Sequence, residues 1–264
     1  MNKNNQNNKN NHNHPPFRYF HNPPNYPDYS EKPQKCDVCR EVLSGYKIMG
    51  QLYGFGIVLE PKKTYKITAR WKDSIGKKHE STINHAVTSC ESIKFICEKC
   101  LTNGVLNKLN CSTNIGNPKF LQQQIRILNK ELSDEQIEKT ANEKTNEIEC
   151  KTPKIDSFQV ITWPIHCADY CCFIGNAGKE ELNNLAPDGN GRKFLDSVMF
   201  ESSHIYEKVT YEPITEYSGY SYDLNDIWSY LPEHSPRKPK DPVSCLFLFQ
   251  CLTCGKYLGI LDFM

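Results

Sequence analysis

Three pairs of cysteines in this chain have the Cys-x-x-Cys spacing of metal-binding turns. They are Cys36/Cys39, Cys97/Cys100 and Cys251/Cys254. Two thiolates three positions apart on a tight turn chelate one metal ion, and two such turns complete a tetrahedral shell. Gly255, directly after the third pair, suits the left-handed backbone that such turns often require. The spacing therefore predicts metal binding at these turns.

The first two pairs are predicted to share one metal ion, although 57 residues separate them. Compact four-cysteine modules have about 15–20 residues between their pairs. A longer loop closes at little extra cost because closure entropy grows only with the logarithm of loop length. We therefore expect Cys36, Cys39, Cys97 and Cys100 to hold one structural ion.

The third pair needs two more ligands, and the segment 163–175 contains the residue types that would supply them. One histidine and three cysteines fall within seven positions there, at His166, Cys167, Cys171 and Cys172. This density is typical of metal ligands. Two other interpretations stay open: a reactive cysteine beside an imidazole, and a core segment with a hydrogen-bonded histidine. Adjacent strand residues point to opposite faces, which disfavours the reactive pair.

The other residues that could do chemistry form no recognisable constellation, and no catalytic residue is predicted. The chain has no Walker loop, no dinucleotide-binding glycine pattern and no His-Glu-x-x-His helix. Nothing in the sequence pairs Asp169, Asp188 or Glu180, which are therefore expected at the surface or as helix caps. Isolated cysteines often act as small buried apolar residues. That role is predicted for Cys90, Cys111, Cys150 and Cys245.

Short strands are predicted around the cysteine pairs. Residues 93–96 alternate like a strand leading into Cys97, and 244–250 and 258–263 have the pattern of strands on either side of the third pair. Strand, turn, strand is the shape of a zinc-ribbon hairpin. Apolar and polar residues also alternate along 65–72, as in a half-buried strand.

Helices are predicted in the middle of the chain. Asn117 and Pro118 provide a cap and a first turn, and Ser133 with Gln136 forms a capping box for a second, polar helix to about residue 149. The first helix has one apolar face, made of Leu121, Ile125, Leu128 and Leu132. Shorter helices are expected at 179–185 and 224–231. The predicted class is α+β, with short antiparallel strands, zinc-ribbon-like knuckles and a few helices.

The domain organisation follows from a shift in composition. Eight of the first 13 residues are Asn, and six prolines lie between positions 15 and 33, so 1–33 is predicted to be a mostly disordered tail. Residues 34–116 would form a zinc-knuckle region with a β insertion. Residues 117–264 would form a helical segment and a C-terminal zinc-ribbon-like region, within the same domain or a second one.

Charge is nearly balanced, with 32 basic and 31 acidic residues. This balance excludes a protein that binds nucleic acid or anionic membranes mainly through bulk positive charge. A local basic face is present at 61–80, where seven residues are basic and two acidic. An edge strand guarded by lysines is the simpler interpretation, and a nucleic-acid surface is the alternative.

The expected location is cytoplasmic, with the nucleus as an alternative. The first residues are polar and lack the apolar stretch of a signal peptide, and the apolar run 245–249 is too short to cross a bilayer. Thirteen cysteines, an odd number, fit a reducing compartment better than a disulfide framework.

Short blocks in a fixed order make this chain resemble the CbrC (UPF0167) family, small cysteine-rich proteins without an established activity. The blocks lie at 17–23 (Phe-Arg-Tyr-Phe-His-Asn-Pro), 36–39, 97–104, 163–175, 177–182 and 248–258. The last of them is similar to the family's most specific signature. The Asn-rich start and the length of residues 46–92 depart from the family. If the opening block packs on the core, it is more ordered than its composition indicates.

The resemblance implies two cysteine-bearing metal sites but no substrate or reaction. Relatives carry His-Cys or Cys-Cys where this chain has His166 and Cys167, and zinc ligand positions tolerate that exchange. It therefore favours His166 and Cys167 as the ligands that complete the site of the third pair. Cys171 and Cys172 are kept as replacements for either of them.

Taken together, the residues predict a protein stabilised by two structural Zn²⁺ ions that presents a surface to a protein partner. The sequence does not identify that partner, and no membrane association is expected. One alternative is a zinc-ribbon nucleic-acid binder that uses the 61–80 face. The other is a cysteine- or metal-dependent enzyme centred on His166 and Cys167.

Overall fold

The computed structural model describes most of the chain outside the Asn-rich start. The described residues are 17–21, 28–48, 53–54, 65–72, 78–85, 93–109, 111–155, 157, 161–201, 211–213, 224–235 and 245–262. In the strands at 53–54, 65–72, 78–85 and 211–213 the description covers the backbone alone.

Helices and mainly antiparallel strands alternate along the chain, which confirms the α+β class. The strands are β1 (Tyr29–Lys35), β2 (Val42–Lys47), β3 (Tyr53–Gly54), β4 (Tyr65–Lys72), β5 (Lys78–His85), β6 (Phe95–Cys97), β7 (Cys111–Ser112), β8 (Ile165–His166), β9 (Asp169–Tyr170), β10 (Cys172–Ala177), β11 (Met199–Glu201), β12 (Tyr211–Pro213), β13 (Cys245–Gln250) and β14 (Tyr257–Asp262). The helices are α1 (Glu98–Thr102), α2 (Val105–Lys108), α3 (Pro118–Leu128), α4 (Asp134–Lys151), α5 (Lys179–Leu185), α6 (Gly191–Leu195) and α7 (Leu224–Tyr230).

Two sheets carry the three cysteine pairs. A three-stranded sheet has the order β1-β2-β6, and a five-stranded sheet has the order β10-β13-β14-β11-β12. Strands β11 and β14 run parallel, whereas the other strand pairs in these two sheets are antiparallel. Smaller two-stranded pairs are β3-β7, β4-β5 and β8-β9. The predicted strand at 65–72 is present as β4, whereas the side chains of the basic 61–80 face lie outside what is described.

Three of the residues 17–20, which composition assigned to a mostly disordered tail, lie in the core. Phe17, Tyr19 and Phe20 are all buried. The backbone of this segment pairs with β10, because the Phe173 N–H donates to the Tyr19 carbonyl and the His21 N–H donates to the Phe173 carbonyl. Residues 17–21 and β1 are therefore more ordered than their composition indicates, because three aromatic side chains bury enough apolar surface to order a short segment. Residues 1–16 and 22–27 lie outside the described part.

The central helices form as their caps predict. Asn117 accepts from the Phe120 N–H at the start of α3, and Ser133 and Gln136 make the reciprocal bonds of a capping box at α4. The apolar face of α3 is shorter than predicted. Leu121 and Ile125 are buried, whereas Leu128 and Leu132 are exposed. Leu128 is the last residue of the helix, and Leu132 lies beyond its end.

The main core joins segments from both ends of the chain. One cluster of buried side chains extends from Phe17 through Ile96 and Trp163 to Leu258. It therefore contains residues from both of the regions predicted as 34–116 and 117–264. A second, smaller cluster lies around Leu182, Phe200 and Leu246. Within the described residues, no helix is long and apolar enough to cross a membrane.

The isolated cysteines divide into three cases. Cys150 is buried with a free thiol, as predicted. Cys111 is also buried, as predicted, and it forms a disulfide that the sequence did not predict. The side chains of Cys90 and Cys245 lie outside the description.

Candidate metal centres

The first two cysteine pairs meet in space despite their separation in sequence. The four sulfur atoms of Cys36, Cys39, Cys97 and Cys100 lie within 4.8 Å of one another. We call this cluster site 1. Antiparallel pairing of β2 with β6 brings the pairs together, because Gly45 in β2 lies opposite Cys97. An added Cβ at Gly45 would lie 2.3 Å from the Ile96 carbonyl oxygen, so only glycine permits this approach.

Backbone hydrogen bonds shape the turns at Cys36 and Cys251 in the same way. Each of these cysteines donates its N–H to the carbonyl five residues later, at 2.8 Å in both turns. The residue four positions on, Arg40 or Gly255, donates back to the cysteine carbonyl, at 2.9 and 3.0 Å. Both of those residues are left-handed, with φ of 65° and 73°. The two turns are therefore the same local structure, each between two antiparallel strands.

The turn at Cys97 differs because it joins a strand to a helix. Cys97 is the last residue of β6 and the N-cap of α1, and its sulfur accepts from the Cys100 N–H. The Cys97 N–H in turn donates to the Cys36 sulfur at 3.4 Å. Asp37 ties the turns together, since one carboxylate oxygen accepts the N–H groups of Lys94 and Phe95, both at 2.8 Å.

The third pair meets the predicted His-Cys doublet. One ligand atom each from His166, Cys167, Cys251 and Cys254 lies within 4.8 Å of the others. We call this cluster site 2. Cys171 and Cys172 were the reserve candidates; both are buried and neither belongs to this four-residue group.

A tight hairpin turn allows His166 and Cys167 to face the same cluster. His166 ends β8, and Cys167 and Ala168 form the two-residue turn to β9 with φ of 52° and 57°, as in a type I′ hairpin. The Cys167 sulfur lies 3.1 Å from His166 Nδ1. The expectation that these neighbours point to opposite faces was wrong, because Cys167 belongs to the turn and not to the strand.

The spacing of the ligand atoms suits a tetrahedral metal. Ideal zinc bonds place two sulfurs about 3.8 Å apart and a sulfur and a nitrogen about 3.5 Å apart. In site 1, the sulfurs of Cys39 and Cys97 are 3.7 Å apart. In site 2, the Cys254 sulfur is 3.4 Å from His166 Nδ1. Both clusters have the donor types and spacing to hold a metal ion, and Nδ1 is the nitrogen of His166 that faces the sulfurs.

Comparison with known proteins places the chain in a family. The model of an uncharacterised protein family, UPF0167, matches residues 60–223, more than half of the chain. The chain belongs to the UPF0167 family. The matched range contains Cys97, Cys100, His166 and Cys167, so half of each cluster lies inside it and half outside.

Curated relatives carry the same family name without a stated activity. A UPF0167 protein of Pseudomonas aeruginosa is 26% identical over 113 residues, 43% of this chain and 48% of that protein. UPF0167 proteins of Mycobacterium bovis and Mycobacterium tuberculosis are each 27% identical over 119 residues, 45% of this chain and 50% of theirs. The chain thus spans about half the length of these UPF0167 relatives. No solved structure matches it.

Mutual hydrogen bonding among the thiols of site 1 pulls their pKa values apart. Bonds from Cys100, Cys39 and Cys97 to the Cys36 sulfur hold the pKa of Cys36 far below its usual range. The same contacts, with burial, raise the pKa of Cys100. The pKa of Cys39 is lowered and that of Cys97 raised by contacts within the same group of four sulfurs. A bound cation would replace the thiol protons, so metal binding releases them.

A fourth sulfur, outside the ligand group, supports site 2 from the core. The Cys171 thiol hydrogen bonds to the Cys251 sulfur, and this contact is the largest of the effects that lower the pKa of Cys251 to about 3. Backbone N–H groups of Cys254 and Thr253 act in the same direction. Cys171 is fully buried, so it stabilises a thiolate ligand from behind.

The Cys167 thiol is not activated as a nucleophile. Burial and the neighbouring thiols of Cys254 and Cys251 raise its pKa to about 11. A cysteine nucleophile needs the opposite shift. The direction of this shift therefore gives no support to a catalytic dyad of Cys167 and His166.

A buried carboxylate holds the turn of site 2, and the sequence analysis missed it. Asp169, expected at the surface or as a helix cap, is 7% exposed. Its Oδ1 accepts from the Tyr19 hydroxyl at 2.8 Å and its Oδ2 from Arg18 at 2.6 Å. Lys144 of α4 lies 3.1 Å from Oδ1 and also donates to the Ala168 carbonyl. The partners are distant in sequence, so no local pattern could have revealed them.

Proposed function

We propose that this UPF0167 protein binds two zinc ions, one at each site, and that the folded, zinc-bound chain presents a surface to a protein partner. The observation that carries the proposal is the convergence of two independent sets of four soft ligand atoms, each within 4.8 Å. Remote cysteines seldom meet in this way unless a metal ion or disulfides join them, and all seven cysteines of the two sites are free.

The donor set favours zinc among common metals. Site 1 offers four sulfurs and site 2 offers three sulfurs and one imidazole nitrogen. Four-coordinate Cys₄ and Cys₃His shells are typical of structural zinc, whereas magnesium and calcium require oxygen ligands. Four protein ligands fill a tetrahedral shell and leave no position for a reacting water, so each ion is proposed to stabilise the fold.

Zinc binding would contribute strongly to folding. Small zinc modules gain about 10–16 kcal/mol from the metal. In this chain each site joins elements that are distant in sequence, since site 1 connects β1 and β2 to β6 and site 2 connects the β8-β9 hairpin to the β13-β14 hairpin. Without metal, no ion would hold these distant elements together at the closely spaced sulfurs.

A protein partner is proposed because the near-neutral charge gives little general attraction to phosphate backbones. The nucleic-acid alternative rests on the 61–80 face. It predicts low-salt binding that falls when Lys66, Arg70 and Lys72 are replaced by alanine, and unchanged binding in that triple variant would remove it.

Metal counting tests the central proposal. Native mass spectrometry of the purified chain is expected to show two zinc ions, and excess EDTA should lower the thermal midpoint measured by circular dichroism. Cys97→Ser should reduce the count to one and destabilise the fold, because it removes a buried ligand of site 1.

A matched control separates ligand loss from general disturbance of the core. Cys150 is buried and free but belongs to neither site, so Cys150→Ala should retain two zinc ions. A wild-type chain that binds no zinc, or that keeps its melting curve unchanged in EDTA, would contradict the proposal.

A further inference from the structure

The two sites differ sharply in their access to solvent. In site 1, Cys36 and Cys97 are fully buried, Cys100 is 5% exposed and only Cys39 is partly exposed. In site 2, only Cys251 is buried, whereas Cys254 is exposed. His166 and Cys167 are partly exposed as well.

The elements that carry the ligands are also more enclosed at site 1 than at site 2. Site 1 lies between a sheet and the start of α1, where its cysteines share the main core with Val38 and Leu101, 1% and 0% exposed. Site 2 lies between the turns of two hairpins. One of these turns contains two consecutive non-glycine residues with left-handed backbone, Cys167 and Ala168. Left-handed non-glycine residues carry conformational strain, and the turn at site 1 contains one such residue, Arg40, where this turn contains two.

Exposure decides how a metal ion can leave. A competing ligand replaces a protein ligand by binding the ion before or as the old bond breaks, so it must first reach the ion. At site 2, the bond between the ion and the exposed Cys254 sulfur would break while a bond to an incoming thiolate or amine forms. The ion keeps its oxidation state and the sulfur leaves as a thiolate. At site 1, replacing the three buried ligands, Cys36, Cys97 and Cys100, requires local opening of the core.

We infer that site 2 is an exchangeable metal site, which passes its ion to an incoming ligand with thiolate or amine donors, whereas site 1 keeps its ion as part of the core. This inference rests on the proposed binding of two zinc ions. It divides them into one that maintains the fold and one that can be gained or lost by the folded protein.

Release kinetics test the inference on the intact chain. The two-zinc protein is mixed with excess EDTA and followed by native mass spectrometry and far-ultraviolet circular dichroism. A one-zinc species with unchanged circular dichroism should accumulate, because loss of the second ion is slower by about tenfold or more when it needs local unfolding. Labelling with N-ethylmaleimide and peptide mapping should then show Cys254, Cys251 and Cys167 modified before the cysteines of site 1.

Two matched variants identify which ion leaves first. Cys254 and Cys39 are each the most exposed cysteine of their site. Cys254→Ser should leave a folded protein with one slowly released ion, whereas Cys39→Ser should weaken the fold itself. If Cys39→Ser does not fold, the wild-type labelling order still decides the question.

The possible failures are distinguishable. Two bound ions that leave together with loss of circular dichroism, or modification of Cys36, Cys97 or Cys100 first, would overturn the inference and leave the proposed function standing. A chain that binds no zinc would overturn both.

Discussion

At the scale of single residues, the most informative side chains are thiols outside the two sites. Cys172 is 5% exposed, and burial alone raises its pKa to about 12. Its S–H donates to the Phe173 carbonyl. Cys150 has a similar environment, and burial raises its pKa to about 12 as well. These thiols stay protonated in the folded chain over a pH range in which an exposed cysteine ionises.

This shift predicts alkaline destabilisation. The pKa of Cys172 is raised from 9.0 to about 12 on folding, so its stabilising effect is fully present below pH 9 and is lost as the pH rises towards 12. Over that window the free energy of unfolding should fall by up to about 1.4 kcal/mol per pH unit for this group. Urea unfolding of the zinc-bound protein at several pH values should show a shallower fall for Cys172→Ala. Parallel curves for the two proteins would show that Cys172 does not contribute.

At the scale of elements, one hairpin turn is used twice, once in each site. The turn requires a left-handed residue after its second cysteine, and the chain places Arg40 at that position in one copy and Gly255 in the other. Glycine adopts this backbone without strain, whereas other residues are conformationally strained in it. The turn at Cys36 therefore contains a strained residue, Arg40, and the Asp37 carboxylate of the same turn accepts the N–H groups of Lys94 and Phe95.

Gly255→Ala tests the backbone requirement of the turn at site 2. An added Cβ at Gly255 meets nothing within 4 Å, so the expected loss of about 1 kcal/mol comes from the backbone. Zinc affinity at site 2 should fall in parallel, measured by competition with a chromophoric chelator.

Gly189→Ala is the matched control. Gly189 has the same φ of 73° and an equally open Cβ position, but it lies outside both sites. Gly189→Ala should lower the free energy of unfolding by about as much as Gly255→Ala and leave zinc affinity unchanged. Equal zinc affinity in both variants would show that the backbone at Gly255 does not position the ligands.

At the scale of the whole molecule, the buried Asp169 joins three remote parts of the chain. Its carboxylate binds Arg18 and Tyr19 of the N-terminal segment and Lys144 of α4, and it accepts the Tyr170 N–H of its own hairpin. These contacts orient the turn that carries Cys167. The N-terminal segment is therefore part of the structure that supports site 2.

Asp169→Asn is expected to lower the free energy of unfolding by about 2–3 kcal/mol, because breaking a buried charged network leaves its partners unpaired. Urea unfolding measures the loss. The zinc ion at site 2 should be lost at a lower urea concentration than the ion at site 1. Asp188→Asn is the matched control: Asp188 pairs with Lys193 at the surface, with half of its side chain exposed, so its loss should be much smaller. Equal effects of the two substitutions would show that the Asp169 network adds no stability.

Local patterns predicted much of the fold. The caps of α3 and α4, the strands beside Cys97 and Cys251, and the hairpin at the third cysteine pair are all present, because each depends on neighbours within a few residues. The short helices α1, α2 and α6 were missed. They have only one or two turns, too few for an apolar period to be visible.

The sequence by itself determined which residues have ligand chemistry and which turns present them, since residue type and spacing of three are local properties. Only the tertiary structure decided that four atoms meet at each site, that Cys171 supports Cys251 from the core, and that Asp169 is buried among partners up to 151 residues away. It also decided that the ligands of site 1 are mostly buried and those of site 2 mostly exposed or partly exposed. Contacts of this kind depend on how strands pair and helices pack over the whole chain, and no local pattern of residues specifies them.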